Sequence, residues 1–531
     1  MRMPDRTVGA DTRADGTGAR TEPMAAVRAE GDGTISERNT LKAEEGRPDA
    51  ASGRAAGPGL SRSLGVTGIV LMVVAAAAPI TVVAANFPII LLESGTVGAP
   101  LMILAATAIL LLFSVGYAWM TPHVPDAGAF YSYVHRGLGR RAGLGTAAVA
   151  LFSYVLLTVS MTCYLGVQTG NLLTLWTGVE LPWWLISGVM LLVVGLLGYR
   201  QIDLSAKVLG IVLVLEVMAV VAIDVGVLLS GRELAAAPFS PAEALAGAPG
   251  LGLLFAFLGF FGFEATAVFR GEARDPLHTV PRATYIAVIL IGVLYTLSAW
   301  LVISGLGAGE AVAASGENPD GVVVGLAGEV VAPIMRDVVQ VLVVTSMFAC
   351  MLAFHNIVTR YLFTLGGRGV LPESLGRAHP VHRAPSHASL WVSGVTTTVV
   401  AVSALAQLHP VTQIYTWYSG AGAVGVILMM ALTSAAVLRF GIAGRDASGV
   451  RASTGADAST GAHASTGTRA STAVLAATGL GGAGLLGVLA ISVWNLPLLV
   501  GGAAAAVVWG AALAAVFLAG LALPERRTHA G

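Results

Sequence analysis

Three features of this 531-residue chain predict an all-α integral membrane protein. Composition is the first: 55% of residues are hydrophobic and 11% charged, where soluble domains carry about a quarter charge. Patterning is the second, because the apolar residues gather into twelve runs of about the 20 residues that a helix needs to cross hydrocarbon. The third is the placement of basic residues. Counted from a cytoplasmic N-terminus, nineteen Lys and Arg from Arg62 onward fall on inner connections, among them Arg140, Arg141, Arg200, Arg282, Arg360 and Arg439, and only Arg232 and Arg336 on outer ones. Such an imbalance obeys the positive-inside rule with both termini in the cytoplasm, and one missed run would invert everything after it.

Residues 1–59 hold no apolar run and read as a disordered cytoplasmic tail without a cleavable signal peptide, so the first apolar run is expected to act as an uncleaved anchor. The twelve segments, numbered 1 to 12 in order, lie near 66–92, 97–121, 143–174, 181–199, 203–230, 249–270, 283–306, 334–365, 388–408, 411–438, 472–494 and 497–522. Segments 1 to 5 occupy 60–230, and segments 6 to 10 occupy 249–440. The stretch 441–471 contains ASTGADASTGAHASTGTRAST, too polar and repetitive to build a core, and reads as a flexible cytoplasmic linker. Segments 11 and 12 follow within 472–522, and 523–531 forms a cytoplasmic tail. Cys163 and Cys350 each sit inside an apolar segment and indicate no disulfide framework, while zero net charge argues for no nucleic-acid partner.

Two segments depart from a plain spanning helix. Segment 6 and its exit, LGLLFAFLGFFGFEATAVFRGEARDPLHTVPR at 251–282, place Glu264 in an apolar helix interrupted by Gly259 and Gly262, then turn at Glu272, Asp275 and Pro276. A charged side chain in hydrocarbon costs ~2.5 to 3.5 kcal/mol, so Glu264 belongs in a bundle interior or a water-filled cavity. Unwound backbone at that depth survives only where protein or cavity water satisfies it. Segment 1, GIVLMVVAAAAPITVVAANFP, carries Pro79 in mid-membrane, which removes a donor and leaves carbonyls near Ala75 to Ala77 without ordinary helical partners. The plainer reading of both is a kinked structural helix, with Glu264 paired to a neighbour. Interrupted helices five segments apart point to a transport site at the bilayer midplane, and because five is odd the second set of five is inverted relative to the first. In such sites half-helix N-termini face an anionic group and freed carbonyls a cation, so a zwitterion suits both ends.

Segment 5 adds Glu216 in an otherwise apolar run, with Asp224 about two turns on. Burial opposes the charged form of a carboxyl, as a proton carrier requires; the structural alternative is pairing with Asn356 or Thr359. Weaker polar candidates are Tyr154, Thr158, Thr162 and Tyr164 in segment 3, His355 and Asn356 in segment 8, and Gln413, Tyr415, Trp417 and Tyr418 in segment 10. His379, His382 and His387 match a metal spacing only loosely and have no cysteine or acid cluster beside them, so no metal site is expected. There is no Gly-x-x-x-x-Gly-Lys loop, and the one mid-segment histidine, His355, has no paired acids, so neither a fused ATPase nor an intramembrane enzyme is expected.

Several motifs in order resemble the amino acid-polyamine-organocation permeases over roughly residues 60–440. They are Pro125-Asp126-Ala127-Gly128-Ala129-Phe130-Tyr131 with Arg136-Gly137-Leu138-Gly139; Ile202 to Lys207; Phe260-Phe261-Gly262-Phe263-Glu264 with Gly271-Glu272-Ala273, Asp275-Pro276 and Val280-Pro281-Arg282-Ala283; and His355-Asn356 to Arg360 with Gly369, Leu371-Pro372 and Pro385. One departure is Ala76-Ala77-Ala78-Pro79-Ile80-Thr81, where many members carry a Gly-Ser-Gly or similar small polar run.

That resemblance implies twelve transmembrane helices in the leucine-transporter type of five-plus-five inverted repeat, helices 1 and 6 broken, with two extra helices. It implies carboxylate recognition by the backbone of Ala77, Ala78, Pro79, Ile80 and Thr81, and amine recognition by carbonyls near Ala76 and Phe260. Gly262 stands at the close approach of backbone and ligand, Phe260 and Phe263 as gates, and Glu264 as a gating acid. Glu216 falls where related permeases place a lysine bridging segments 1 and 8, and is the expected coupling residue. The implied activity is secondary active transport of an amino acid or related amine across the plasma membrane by proton-coupled uptake with alternating access. Sodium coupling, exchange, and a passive channel or substrate-sensing receptor are the alternatives. The implied partners are a small-molecule substrate, the proton and the lipid bilayer, with no cofactor.

Overall fold

The computed structural model describes residues 65–124, 129–200, 206–264, 266, 273–379, 384–453 and 470–523, and among them the regular elements are all helices. The tail at 1–59, Pro125 to Gly128, Ile202 to Ser205, Arg270 to Glu272, His382, Arg383, most of the 441–471 linker and the end of the chain beyond 523 lie outside the described residues.

Among the described residues eleven helices are long and apolar enough to cross a membrane: Val66–Ser94, Ala99–His123, Arg140–Thr177, Trp183–Arg200, Gly210–Leu229, His278–Leu306, Pro333–Gly367, Ser386–Leu405, Pro410–Ala443, Thr472–Leu499 and Ala503–Ala522. They coincide with eleven of the twelve segments read from the sequence, their ends shifted by several residues. Segment 6 is the exception. Its described helix is Pro249–Leu258, ten residues, because the chain leaves helical geometry at the glycines that follow. The helix starting at Thr416 also runs on to Ser453, into the stretch read as a flexible linker.

Burial sorts the helices by depth in the bundle. Segments 1, 3 and 10 are mostly covered by protein, at 76%, 72% and 72% of their apolar windows, whereas only 11% of segment 12 is covered. The central helices hide polar groups by local bonding. Thr107 donates to the Ile103 carbonyl, Ser114 to Leu110, Thr158 to Tyr154 and Thr162 to Thr158, each hydroxyl satisfied four residues back on its own helix at 2.6–2.7 Å. A polar side chain bonded that way adds little cost to an apolar interior.

The connection from segment 5 to segment 6 fixes the entry to the centre. The Ala248 amide donates to the Ser94 carbonyl at 2.9 Å, Trp300 Nε1 to the Ala235 carbonyl at 2.8 Å, and the Thr96 hydroxyl to the Glu243 carboxylate at 2.8 Å. The Ser94 and Thr96 bonds tie the end of segment 1 to the approach to segment 6, which brings the two interrupted segments side by side, and the Trp300 bond holds segment 7 to the same connection.

Candidate functional site

Segment 1 is helical over Val66–Ala76 and breaks at Ala78, whose φ of 49° and ψ of 67° are left-handed. Proline is the cause. It bars its predecessor from right-handed helical geometry, and it suits the first position of a new helix, where its missing N–H removes no bond. Holding an alanine left-handed costs roughly 1–2 kcal/mol, which the surrounding packing has to sustain. From Pro79 the chain is helical without interruption to Ser94, the turn Val82–Asn86 being wider than an α-helix. The Ala75 carbonyl is not left without a helical partner as expected, since the Ala78 amide donates to it at 3.1 Å. The Ala77 carbonyl instead finds a tertiary donor, the Tyr295 hydroxyl, at 3.0 Å.

Segment 6 breaks where its glycines predict. After Leu258 the chain tightens into three-residue turns, with the Phe260 amide bonded to the Phe257 carbonyl and Phe261 to Leu258. Gly262 takes φ 108°, a backbone that side-chain-bearing residues rarely adopt. The Phe260 carbonyl, expected to meet a ligand amine, accepts the Phe263 amide at 3.2 Å within this turn.

The two breaks face each other. A Cβ added to Gly259 would lie 3.1 Å from Val82 Cγ1 and 3.5 Å from the Tyr295 ring. Tyr295 spans the pair, its ring edge-on to Phe260 at 6.0 Å and to Phe87 at 5.9 Å while its hydroxyl holds Ala77. Asn86 fastens the far half of segment 1 to the near half of segment 6, Nδ2 donating to the Phe255 carbonyl at 2.8 Å. Two polar atoms at this junction are buried without a hydrogen-bond partner, Thr81 Oγ1 and Asn86 Oδ1. Thr81 lies past the left-handed Ala78, so the carbonyl four residues back, Ala77, is on the other side of the break, where Tyr295 holds it.

Two carboxylates flank the junction. Glu216, 3% exposed, reaches across from segment 5 so that Oε2 accepts the Ile80 amide at 3.4 Å, in place of the pairing with Asn356 or Thr359 weighed from the sequence. Tyr295 and Cys350 lie within electrostatic reach of it. Glu264, 4% exposed, is held at both oxygens. Oε1 accepts the Tyr154 hydroxyl at 2.8 Å and Oε2 the Gly262 amide at 2.9 Å, while the Tyr117 hydroxyl donates to its carbonyl at 3.2 Å. Phe263 packs edge-on against Phe113 at 6.0 Å. Glu264 thereby joins segments 2, 3 and 6 behind the break.

Ala77, Ala78, Pro79, Ile80, Thr81, Glu216, Phe260 and Gly262 thus gather around one junction, with Phe263 and Glu264 as a second layer; the side chain of Ala76 lies outside the described positions. Other candidates serve elsewhere: Asp224 accepts from Ser298 at 2.7 Å, His355 pairs with Ser389 at 2.9 Å, and Tyr164 stacks on Tyr415 at 4.6 Å. Sequence reasoning missed Tyr295 and Asn86. Asn86 left a signal, a lone amide in the apolar segment 1.

Comparison with known proteins agrees with this architecture. The chain matches the family described as amino acid permease over residues 64–446, which takes in both breaks and Glu216. It is similar to the branched-chain amino acid permease BcaP of Lactococcus lactis subsp. cremoris (strain MG1363), 26% identical over 283 residues, which are 50% of this chain and 60% of that protein. It is also similar to the branched-chain amino acid permease BcaP of Bacillus subtilis (strain 168), 24% identical over 322 residues, 56% of this chain and 65% of that one. Each match covers less than two thirds of the relative's length. With the family match running through ten of its twelve apolar segments, this chain belongs to the amino acid permease family.

Proposed function

We propose that the chain is a secondary active transporter that takes an amino acid into the cell across the plasma membrane, coupled to protons, by alternating access. The observation that carries this reading is the junction of the two breaks, where Gly259 abuts Val82 and the Glu216 carboxylate meets the Ile80 amide. A zwitterion bound there would set its carboxylate against the first turn after Ala78 and its amine against freed carbonyls. Both similar permeases are named for branched-chain amino acids, and the apolar faces of Val82, Phe260 and Tyr295 suit such a side chain.

In this reading segment 6 continues beyond Glu264 to complete a twelfth span, segments 1–5 and 6–10 form the two inverted repeats, and both termini are cytoplasmic. Glu216 carries the coupling proton, in a role that its place against segment 1 supports. Glu264 holds the segment 6 break to segment 3 through Tyr154.

The test is uptake of labelled leucine, isoleucine and valine by proteoliposomes under an imposed pH gradient, with Gly262→Leu as the variant blocked at the break. Accumulation above the outside concentration that collapses with a protonophore supports proton symport. Equilibration without accumulation makes the protein a passive pathway; transport only against preloaded substrate makes it an exchanger.

A further inference from the structure

We propose that Glu216 sits in the place of the substrate's own carboxylate, so that binding substrate displaces Glu216 from the Ile80 amide and binds a proton to it in the same step. The inference rests on reading the junction of the two breaks as the substrate site.

The amide in question belongs to the first turn of a run that is helical from Pro79 to Ser94, and the start of such a run attracts an anion. In this structure that place is taken by the carboxyl group of Glu216. The bond is long, 3.4 Å, and is the one hydrogen bond of standard geometry that the Glu216 carboxylate makes among the described residues. Glu264 offers the contrast, with both oxygens held at 2.8 and 2.9 Å. Beside Ile80, the Thr81 hydroxyl is 3% exposed and has no partner, a donor waiting within the same turn. An incoming carboxylate that accepted from both the Ile80 amide and the Thr81 hydroxyl would outcompete a single long bond.

Glu216 cannot stay charged once it has been displaced. The groups facing it are the Ile80 amide from segment 1, Tyr295 from segment 7, and Ser346 and Cys350 from segment 8, and none is a cation. Among the described residues no Lys or Arg is buried. The incoming zwitterion's ammonium offsets its own carboxylate, so the displaced Glu216, deprived of its amide donor and faced by no cation of the protein, takes a proton from water and becomes a neutral carboxylic acid. The new O–H has an acceptor at hand in Ser346 Oγ, which lies close to Glu216. Substrate and proton thereby bind as a pair, as symport requires.

Isothermal titration calorimetry of the full-length protein in nanodiscs tests this, with leucine titrated at one neutral pH in buffers of differing ionisation enthalpy. The expected result is about one proton taken up per leucine bound, and none in Glu216→Gln, which still binds leucine. Isopentylamine, the same side chain and amine without the carboxylate, should take up none in the unmodified protein, a comparison that holds even where the variant fails to fold. Leucine binding without proton uptake, uptake unchanged in Glu216→Gln, or uptake with isopentylamine each overturn the inference and leave the permease reading standing. Absence of leucine binding by the folded protein overturns the substrate reading itself, and this inference with it.

Discussion

Gly259 of segment 6 abuts Val82 of segment 1 so closely that a methyl group on the glycine would lie 3.1 Å from Val82 Cγ1. Its φ of −62° is open to any residue, so what requires glycine here is the neighbour and not the backbone. Gly259→Ala should insert normally and lose several-fold in uptake, and adding Val82→Ala should restore it, because the second change removes the crowded methyl. Overpacking of this kind costs about 1–3 kcal/mol. Uptake unaffected in Gly259→Ala, measured in proteoliposomes, would mean that the two breaks do not work as one site.

The Tyr295 hydroxyl holds the Ala77 carbonyl, while the Thr81 hydroxyl, four residues on, has no partner. In Tyr295→Phe the carbonyl is released and Thr81 can bond four residues back as other hydroxyls in this bundle do. Thermal stability should therefore fall little, by the net of one hydrogen bond exchanged for another, about 1 kcal/mol or less. Substrate affinity should fall more, since Thr81 is no longer free to meet a ligand. Thr81→Val alone should weaken binding to a similar degree, and the double variant should be no worse than either single one. Additive losses would separate the two residues.

How much of this site was legible in the sequence follows from what kind of signal each residue leaves. The breaks were readable because proline and glycine act on the backbone locally: Pro79 forced Ala78 out of helical geometry, and Gly262 supplied the positive φ. Glu216 and Glu264 stood out because a carboxyl in an apolar run is costly unless something meets it. What met them was not readable. Glu216 found a backbone amide 136 residues away and Ala77 found a tyrosine 218 residues away, pairings set by how segments 5 and 7 turn against segment 1. Segment 6 is apolar enough to count as a span, and its described helix stops at Leu258, where the glycines that mark the site also end it.

Orientation can be checked by labelling, with positions chosen for exposure. Ser315, in the connection between segments 7 and 8, is fully buried and its hydroxyl is bonded to Ala311, so a cysteine there would be shielded on either side of the membrane. Glu317, two residues on, is exposed, as is Ser374 in the connection after segment 8. With both native cysteines buried, Glu317→Cys should react with an impermeant maleimide on whole cells and Ser374→Cys only after permeabilisation. The opposite pattern would reverse the orientation derived from the basic residues.

The two acids at the junction should separate by assay. Glu264 is held by Tyr154 and by the Gly262 amide, so its work is to keep the segment 6 break joined to segment 3. Glu264→Gln keeps the shape but offers one acceptor oxygen where two are in use, so it retains the Gly262 or the Tyr154 bond as a neutral one roughly half as strong and turns a donor toward the other partner. The break loosens, and exchange and net uptake should slow together, several-fold. Tyr154→Phe removes the same tie from the other side and should give the same phenotype, with the double variant no slower than either single one. Glu216→Gln should behave otherwise: exchange persists, because substrate still binds a neutral site, while accumulation driven by a pH gradient is lost. Should Glu264→Gln be the variant that exchanges normally and fails to accumulate, the coupling proton resides on Glu264, and Glu216 is left to hold Ile80.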